Sequence, residues 1–282
     1  MDLLPSHLQE ALIRDLSKIQ DKDKNPEFII TVEDVIKAHY FVCDYFESET
    51  GEKSLYGIRD YNLLVSAISR QNICFAGQEK YKMPIEKCAT FFYGLVKNHA
   101  FHDGNKRTAL LSTLYFLTKI GRHPTKNQKE FEELTIKIAA NDLSSYAQWE
   151  KYEDQEEAEI KFITSRLTKI TEKNDYKIHT MTYRELDTQL HMYGFYLEIA
   201  GTQEINLCRN KTSLFGKIKK ESLLQVGFKG WKKQVGSKSL KCILKIVSEA
   251  KQIDFSTFYR GGEPLYELID AYSGPLSRLK DK

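Results

Sequence analysis

The sequence of 282 residues has few cysteines, and they are not paired. The five (Cys43, Cys74, Cys88, Cys208 and Cys242) are odd in number and scattered, without the close spacings that zinc sites and disulfide frameworks use. Both of those classes are therefore excluded, and the thiols read as free, small hydrophobes. Long apolar runs are also lacking. None approaches the ~18 residues of a bilayer-spanning helix, so no membrane association is expected. The stretch MDLLPSHLQEALIRDLSKIQ lacks the basic start, apolar middle and small-residue cleavage site of a secretory signal, which makes the cytoplasm the expected location. No internal repeat is visible. What is present is a globular composition, 41% hydrophobic and 29% charged, in a chain long enough for two domains.

The net charge of +3 conceals an uneven split. Residues 176–282 hold 18 Lys/Arg against 11 Asp/Glu, whereas residues 1–175 hold 24 against 28. A basic module thus follows a slightly acidic one. Hydrophobic spacing divides the chain in the same way. Thr31 and Asp34 open an amphipathic helix carrying Val32, Val35, Ile36, His39, Cys43 and Phe46. Tyr61, Leu64, Val65 and Ile68 give a second, shorter helix. A loop or hairpin around Gly77 and Tyr81 follows, and then Pro84 starts a helix that stops near Asn98. Thr108 to Ile120 is a strongly apolar helix closed by Gly121, with His123 expected to cap its carbonyl end. Two more helices follow, around Phe131 and around Ile163, the second rising from the acidic run EKYEDQEEAE, read as a solvated helix face. Apart from the hairpin near 71–82, no strand pair is evident before residue 172. From there a helix (TYRELDTQLHMYGF), short strands around FYLEIAG and EINLCRN, and a helix (SLKCILKIVSEA) indicate an α+β module. The last 25 or so residues read as turn-rich. The expected domains are a helical extension over 1–29, a catalytic domain over 30–150, a connecting helix over 151–175 and the basic module over 176–282.

The chemistry is concentrated in NHAFHDGNKRTALLSTLYFL. His99 falls at the end of one helix, and Asp103, Gly104, Asn105, Lys106 and Arg107 lead into the next. A helix N-terminus preceded by Gly offers free backbone N–H groups and a positive dipole end, a natural phosphate site. Arg107, with its bidentate fork, and Lys106 would add charge, and the Asn105 amide one more donor. An acid inside a phosphate loop is explained if a cation lies between them, so Asp103 is a candidate Mg²⁺ ligand shared with nucleotide phosphates. His99, a histidine beside that anion site, is the candidate general base for a hydroxyl nucleophile. The bland alternative is that these residues merely cap and solvate a helix junction.

The stretch HAFHDGNKRTAL resembles the signature of the Fic/Doc family: His, any residue, Phe, any residue, an acid, Gly-Asn, and Arg two positions after Asn. The segments GIRDYNLLVSAISRQ and IEKCATFFYGLVKNH are similar to its Doc (death on curing) branch, so the resemblance covers roughly residues 30–145. It implies a mainly α fold: a Fic helical bundle with a β-hairpin flap over the active site, here followed by the small basic α+β domain. It also implies ATP as co-substrate, His99 as general base, Asp103 on Mg²⁺, and Gly104, Asn105, Lys106 and Arg107 around the phosphates, with Arg107 also catalytic. Phe101 would anchor the loop.

Two positions depart from members that transfer AMP. Lys106 stands where they have a second Gly, and Leu110 where they have a second Arg. A side chain at 106 obstructs close approach of the α-phosphate. The Doc branch shares this lysine, and resemblance to it implies that ATP presents its γ-phosphate, so that a hydroxyl of a target protein, typically a threonine of elongation factor Tu, is phosphorylated. AMP transfer is the alternative, and an inactive Fic scaffold a further one. The family's inhibitory helix pattern of Ser or Thr, three residues, Glu, then Gly or Asn is approached only at Ser6 to Glu10, where Ala11 breaks it. Restraint is therefore expected from a separate antitoxin, or else from the C-terminal module.

Elsewhere, His39 on an apolar face reads as a satisfied core histidine, His102 as exposed, and Arg59 and Asp60 of the GIRD turn as a structural salt bridge, with substrate contact by Arg59 near the flap as the alternative. His179 and His191 have no partners at ligand spacing. In element order the basic module resembles the HicA-like, double-stranded-RNA-binding-type fold. Gly201, Thr202 and Gln203 lie where HicA ribonucleases have Gly-Ser-His, which argues against RNA cleavage. Its lysines (Lys217, Lys219, Lys220, Lys229, Lys232, Lys233, Lys238, Lys241) and Trp231 suit RNA binding, or equally protein docking.

Overall fold

A computed structural model describes residues 4–51, 55–125, 128–173, 180–212, 218–251, 258 and 264–280. It divides into two compact units, Met1–Lys173 with Leu265–Lys282, and Asn174–Pro264. The architecture is mainly helical in the first and α+β in the second.

In the first unit, helix α1 (Ser6–Leu16) packs Leu8, Ala11 and Leu12 into the core. Helix α2 (Val32–Thr50) begins where Thr31 and Asp34 predict. The Thr31 hydroxyl accepts from Asp34 N at 3.2 Å, and the Asp34 carboxylate accepts from Thr31 N at 2.9 Å. Helix α3 (Tyr61–Ser69) precedes a hairpin of β1 (Cys74–Phe75) and β2 (Gln78–Glu79). Helices α4 (Pro84–Asn98) and α5 (Asn105–Lys119) form the centre. Phe91 and Phe116 are fully buried and join them, ring centroids 5.2 Å apart. Helices α6 (Lys129–Ala139) and α7 (Ala158–Ile170) complete the bundle.

Several expectations are corrected. Strands β3 (Arg122–Pro124) and β4 (Thr171–Lys173) pair antiparallel, setting His123 opposite Glu172 rather than over the end of α5. Three residues per strand, with a proline and several charges, leave no alternation for the sequence to reveal. The acidic run is mostly turn, since α7 begins only at Ala158. Glu157, at φ 56°, accepts from Tyr81 Oη and Lys80 Nζ, both at 2.8 Å, and so fastens the segment following the hairpin.

The largest correction is at the C-terminal end. The turn-rich reading of the last residues fails, because Pro264–Arg278 is a helix, here α10, with non-helical torsions at Tyr272 and Pro275 inside it. Nor does this helix belong with the basic module. Leu265, Ile269, Tyr272, Leu276 and Leu279, at spacings of three and four, are buried in the core of the first unit. Glycine and proline masked that period.

The second unit runs α8 (Tyr183–Met192), β5 (Phe195–Ile199), β6 (Glu204–Thr212), β7 (Ile218–Gly227) and α9 (Ser237–Lys251). The strands form one antiparallel sheet in the order β5-β6-β7, with Phe195 opposite Arg209 and Leu197 opposite Leu207. Phe195, Leu197, Ile205 and Leu207 cluster with Leu186 and Leu190 of α8 and with Leu240, Ile243, Leu244 and Val247 of α9. One face of the sheet thus makes the core.

Candidate active site

The loop from His99 to Gly104 is tied by its own backbone to the segment before α3. His99 ends α4 in the left-handed conformation, φ 47°, which turns the chain sharply and leaves its side chain exposed. The Arg59 guanidinium donates to the His99 carbonyl and fixes that turn. The Ala100 carbonyl accepts from Arg59 N at 2.8 Å and Asp60 N at 3.0 Å, and His102 N donates to the Gly57 carbonyl at 3.1 Å. Ile58 and Phe101 form an antiparallel bridge. Arg59 and Asp60, expected to pair with each other, do separate work: Asp60 caps α3 by accepting from Leu63 N at 3.1 Å.

Beneath this bridge lies a polar framework that sequence reading missed. Asp15 of α1 is buried and accepts from Ile58 N at 3.0 Å, Tyr40 Oη at 2.8 Å and Lys18 Nζ at 2.7 Å. Burial alone would raise its pKa, yet these hydrogen bonds hold it below the usual carboxylate value. The signal was available, because Asp15 continues the Leu8, Ala11, Leu12 stripe as an acid on an apolar face. His39 is fully buried and stacks on Phe101, centroids 4.1 Å apart. Its Nε2 accepts from Gly57 N at 3.0 Å, so Nδ1 carries the proton and donates to Thr108 Oγ1 at 3.1 Å. Burial pushes its pKa down to about 3, and the ring stays neutral. Gly57 at φ 103° is a conformation other residues resist, and a Cβ there would meet the Asp15 carboxylate at 3.3 Å.

The other expected residues fall into three groups. Gly104, at φ 68°, turns the chain into α5, whose first turn has no acid and no side-chain cap. The first helical backbone bond is Thr108 N to Gly104 O at 2.9 Å, so the N–H groups of Asn105, Lys106 and Arg107 lie in the first turn where anions bind. Asp103 and Lys106 are half-buried at the mouth of this turn, and one Asp103 oxygen accepts from Gly104 N at 2.6 Å. Among the described residues no three His, Cys, Asp or Glu are grouped to hold a metal unaided. Asp103 beside an anion site nonetheless fits Mg²⁺, which usually takes one or two carboxylates together with phosphate oxygens and water.

Asn105 and Arg107 are placed otherwise than expected. The Asn105 amide accepts from Phe101 N at 2.9 Å and donates to Phe101 O at 3.0 Å, so its side chain holds the loop closed. Arg107, 3% exposed, lies over the Phe46 ring at 3.9 Å and donates from Nε to the Leu276 carbonyl at 2.9 Å and from Nη2 to that of Ser277 at 3.4 Å. These carbonyls belong to the last turn of α10, an electronegative helix end that favours a cation. A fork on phosphate is not the geometry seen. Cys43, nearby on α2, is inert, its thiol pushed up to about 12 chiefly by burial and further by the Asp103 charge.

An exposed histidine at the end of α4, six residues before the glycine-led N-terminus of α5 with an acid and a lysine at its mouth, is an arrangement whose chemistry suits holding a phosphate and taking a proton from a hydroxyl. The Fic/DOC family model matches residues 29–117. The chain is also 40% identical over 60 residues to the protein named Toxin Doc of Mycolicibacterium smegmatis, an alignment covering 21% of this chain and 46% of that protein. The chain therefore spans about half the length of the curated relative it matches. Residues 29–117, which contain the whole loop and most of the framework beneath it, are a segment of the Fic/DOC family.

Proposed function

We propose that the first unit is a nucleotide-dependent, protein-modifying transferase of the Doc type. The observation that carries this reading is that one short loop joins the exposed His99 to the first turn of α5, which Gly104 opens in the left-handed conformation and which contains no acidic residue. ATP would place its γ-phosphate on the N–H groups of residues 105–107, with Lys106 at the rim favouring that end of the nucleotide over the α-phosphate. Mg²⁺ bound at Asp103 would neutralise phosphate charge. The hydroxyl oxygen of a target side chain attacks phosphorus, the bond to the β-phosphate oxygen breaks, ADP leaves, and the hydroxyl proton passes to His99. Asn105 and Arg107 act here as positioning residues, holding loop and helix in register from below.

The target class follows from the resemblance, a threonine or serine of a protein of the translation machinery such as elongation factor Tu. A separate antitoxin is the proposed restraint. The test is incubation of the purified chain with Mg²⁺ and bacterial lysate, with ATP labelled on the γ-phosphate or on the α-phosphate and His99→Ala as control. Protein label from the γ position alone supports phosphorylation. Label from the α position means AMP transfer, and absence of label from both counts against an active transferase.

A further inference from the structure

The second unit carries a feature that the transferase reading does not use. Between Glu221 and Glu249 the chain has six lysines (Lys229, Lys232, Lys233, Lys238, Lys241 and Lys245) and no acid. Lys245 faces Glu249 at 3.8 Å. The other five are exposed, and among the described residues none of them is in an ion pair. Lys220 is different, since its ammonium is held by Glu198 at 2.6 Å, and Lys217 lies outside the described residues.

The loop bearing the first three of these lysines is pinned to the start of α8. Tyr183 N donates to Lys233 O at 3.1 Å, Arg184 N to Trp231 O at 3.0 Å and Val235 N to Met181 O at 2.9 Å, while Phe228 N donates to Gln203 O at 2.7 Å. The main chain that carries these charges is thus fixed before any partner arrives. Beside them opens a pocket of about 760 Å³. Its wall is aromatic at Tyr183 and Phe228 and neutral polar at Thr202, Gln203, Gln234 and Ser239, and Lys229 is its one charged lining residue. The carboxylates adjoining that lining in sequence are engaged: Glu185 accepts from Thr182 N at 2.7 Å, and Glu204 from the Gln225 amide at 3.0 Å. Trp231 packs edge-on to Phe228 at 5.3 Å and extends the aromatic surface.

From these observations we infer that the second unit binds a single-stranded polynucleotide, with one unstacked nucleotide in the pocket and its flanking phosphates on the lysines. The volume suits a nucleotide and is far larger than a lone anion needs. Amides and hydroxyls that both donate and accept, set beside aromatic rings, suit a base edge and face. An acidic protein segment would use the lysines but would leave the aromatic, neutral pocket unexplained.

The test is fluorescence anisotropy of the full chain with a labelled twelve-nucleotide RNA, the DNA strand of the same sequence, a duplex, and a polyglutamate peptide, over a range of salt. RNA or DNA single strands should bind more tightly than the duplex and the peptide; which strand is preferred tells which nucleic acid is the ligand. Lys232→Gln with Lys233→Gln should lower the salt slope by about 1.4, given about 0.7 per lost phosphate contact on a single strand, and weaken binding on the order of tenfold. Gln203→Trp, which fills the pocket from an exposed position, should weaken binding severalfold and leave the salt slope unchanged. His99→Ala should bind as the parent does, which separates this inference from the transferase reading. Equal binding of polyglutamate, no binding of any strand, or indifference to both sets of substitutions would each overturn the proposal.

Discussion

The two units spend positive charge in opposite ways. In the first, two arginines near the site are held on main-chain carbonyls, Arg59 on that of His99 and Arg107 on those of Leu276 and Ser277, while Lys106 stands at the mouth of the first turn of α5. In the second, five lysines stand in solvent without an ion pair among the described residues. Under the functions proposed above, the difference separates a site that would hold one phosphate at a reacting distance from a surface that would need only to gather charge. Side chains locked on carbonyls fix geometry, whereas unpaired lysines give reach and salt sensitivity.

The contrast is tested most severely at the chemistry. His99→Ala should lower transfer by about 10²–10⁴-fold, the usual worth of a general base, with the melting temperature unchanged because the ring is exposed. A parallel loss of stability would make His99 a structural residue. Next, Arg107→Ala should cost about 3 kcal/mol in denaturant unfolding, since it leaves the buried Leu276 carbonyl without its charged donor and strips the cation from Phe46. Loss of activity at unchanged stability would instead put Arg107 on substrate and erase the distinction between the units.

Acid should sharpen the comparison. The folded pKa of His39 is depressed to about 3 against an ordinary 6.5, so the unfolded chain binds the extra proton between these values. The contribution of His39 is complete above about pH 6.5 and is lost as pH falls towards 3, at about 1.4 kcal/mol per pH unit. Unfolding followed from pH 7 to 5 should show that slope, and His39→Gln should reduce it. Smallest of all, Lys232→Gln with Lys233→Gln should move stability by less than about 0.5 kcal/mol, as expected for exposed groups with no ion pair among the described residues. A larger change in the melting curve would mean that these lysines hold the fold.

What the sequence made legible was local. The Thr31 and Asp34 cap, Pro84 opening α4, and the left-handed turn at Gly104 are each decided within four residues, and the motif lies inside one loop. What escaped was decided at long range. The carbonyls that receive Arg107 are about 170 positions away, Asp15 meets Tyr40 and Ile58 across 25 and 43, and β3 meets β4 across some 49. Polar residues such as Asn105 and Arg107 looked like ligands because their types suit phosphate. Only packing shows that their hydrogen bonds are already committed to main-chain carbonyls and amides.

The return of α10 to the first unit has a consequence for how the protein is made. Helix α5 emerges from the ribosome with Arg107 in it, but the carbonyls that receive this guanidinium belong to residues 276 and 277. The whole basic unit is synthesised in between. The helix that begins within the motif therefore stays without these partners for most of translation, and a chain cut short before α10 would carry the full motif on an incomplete support.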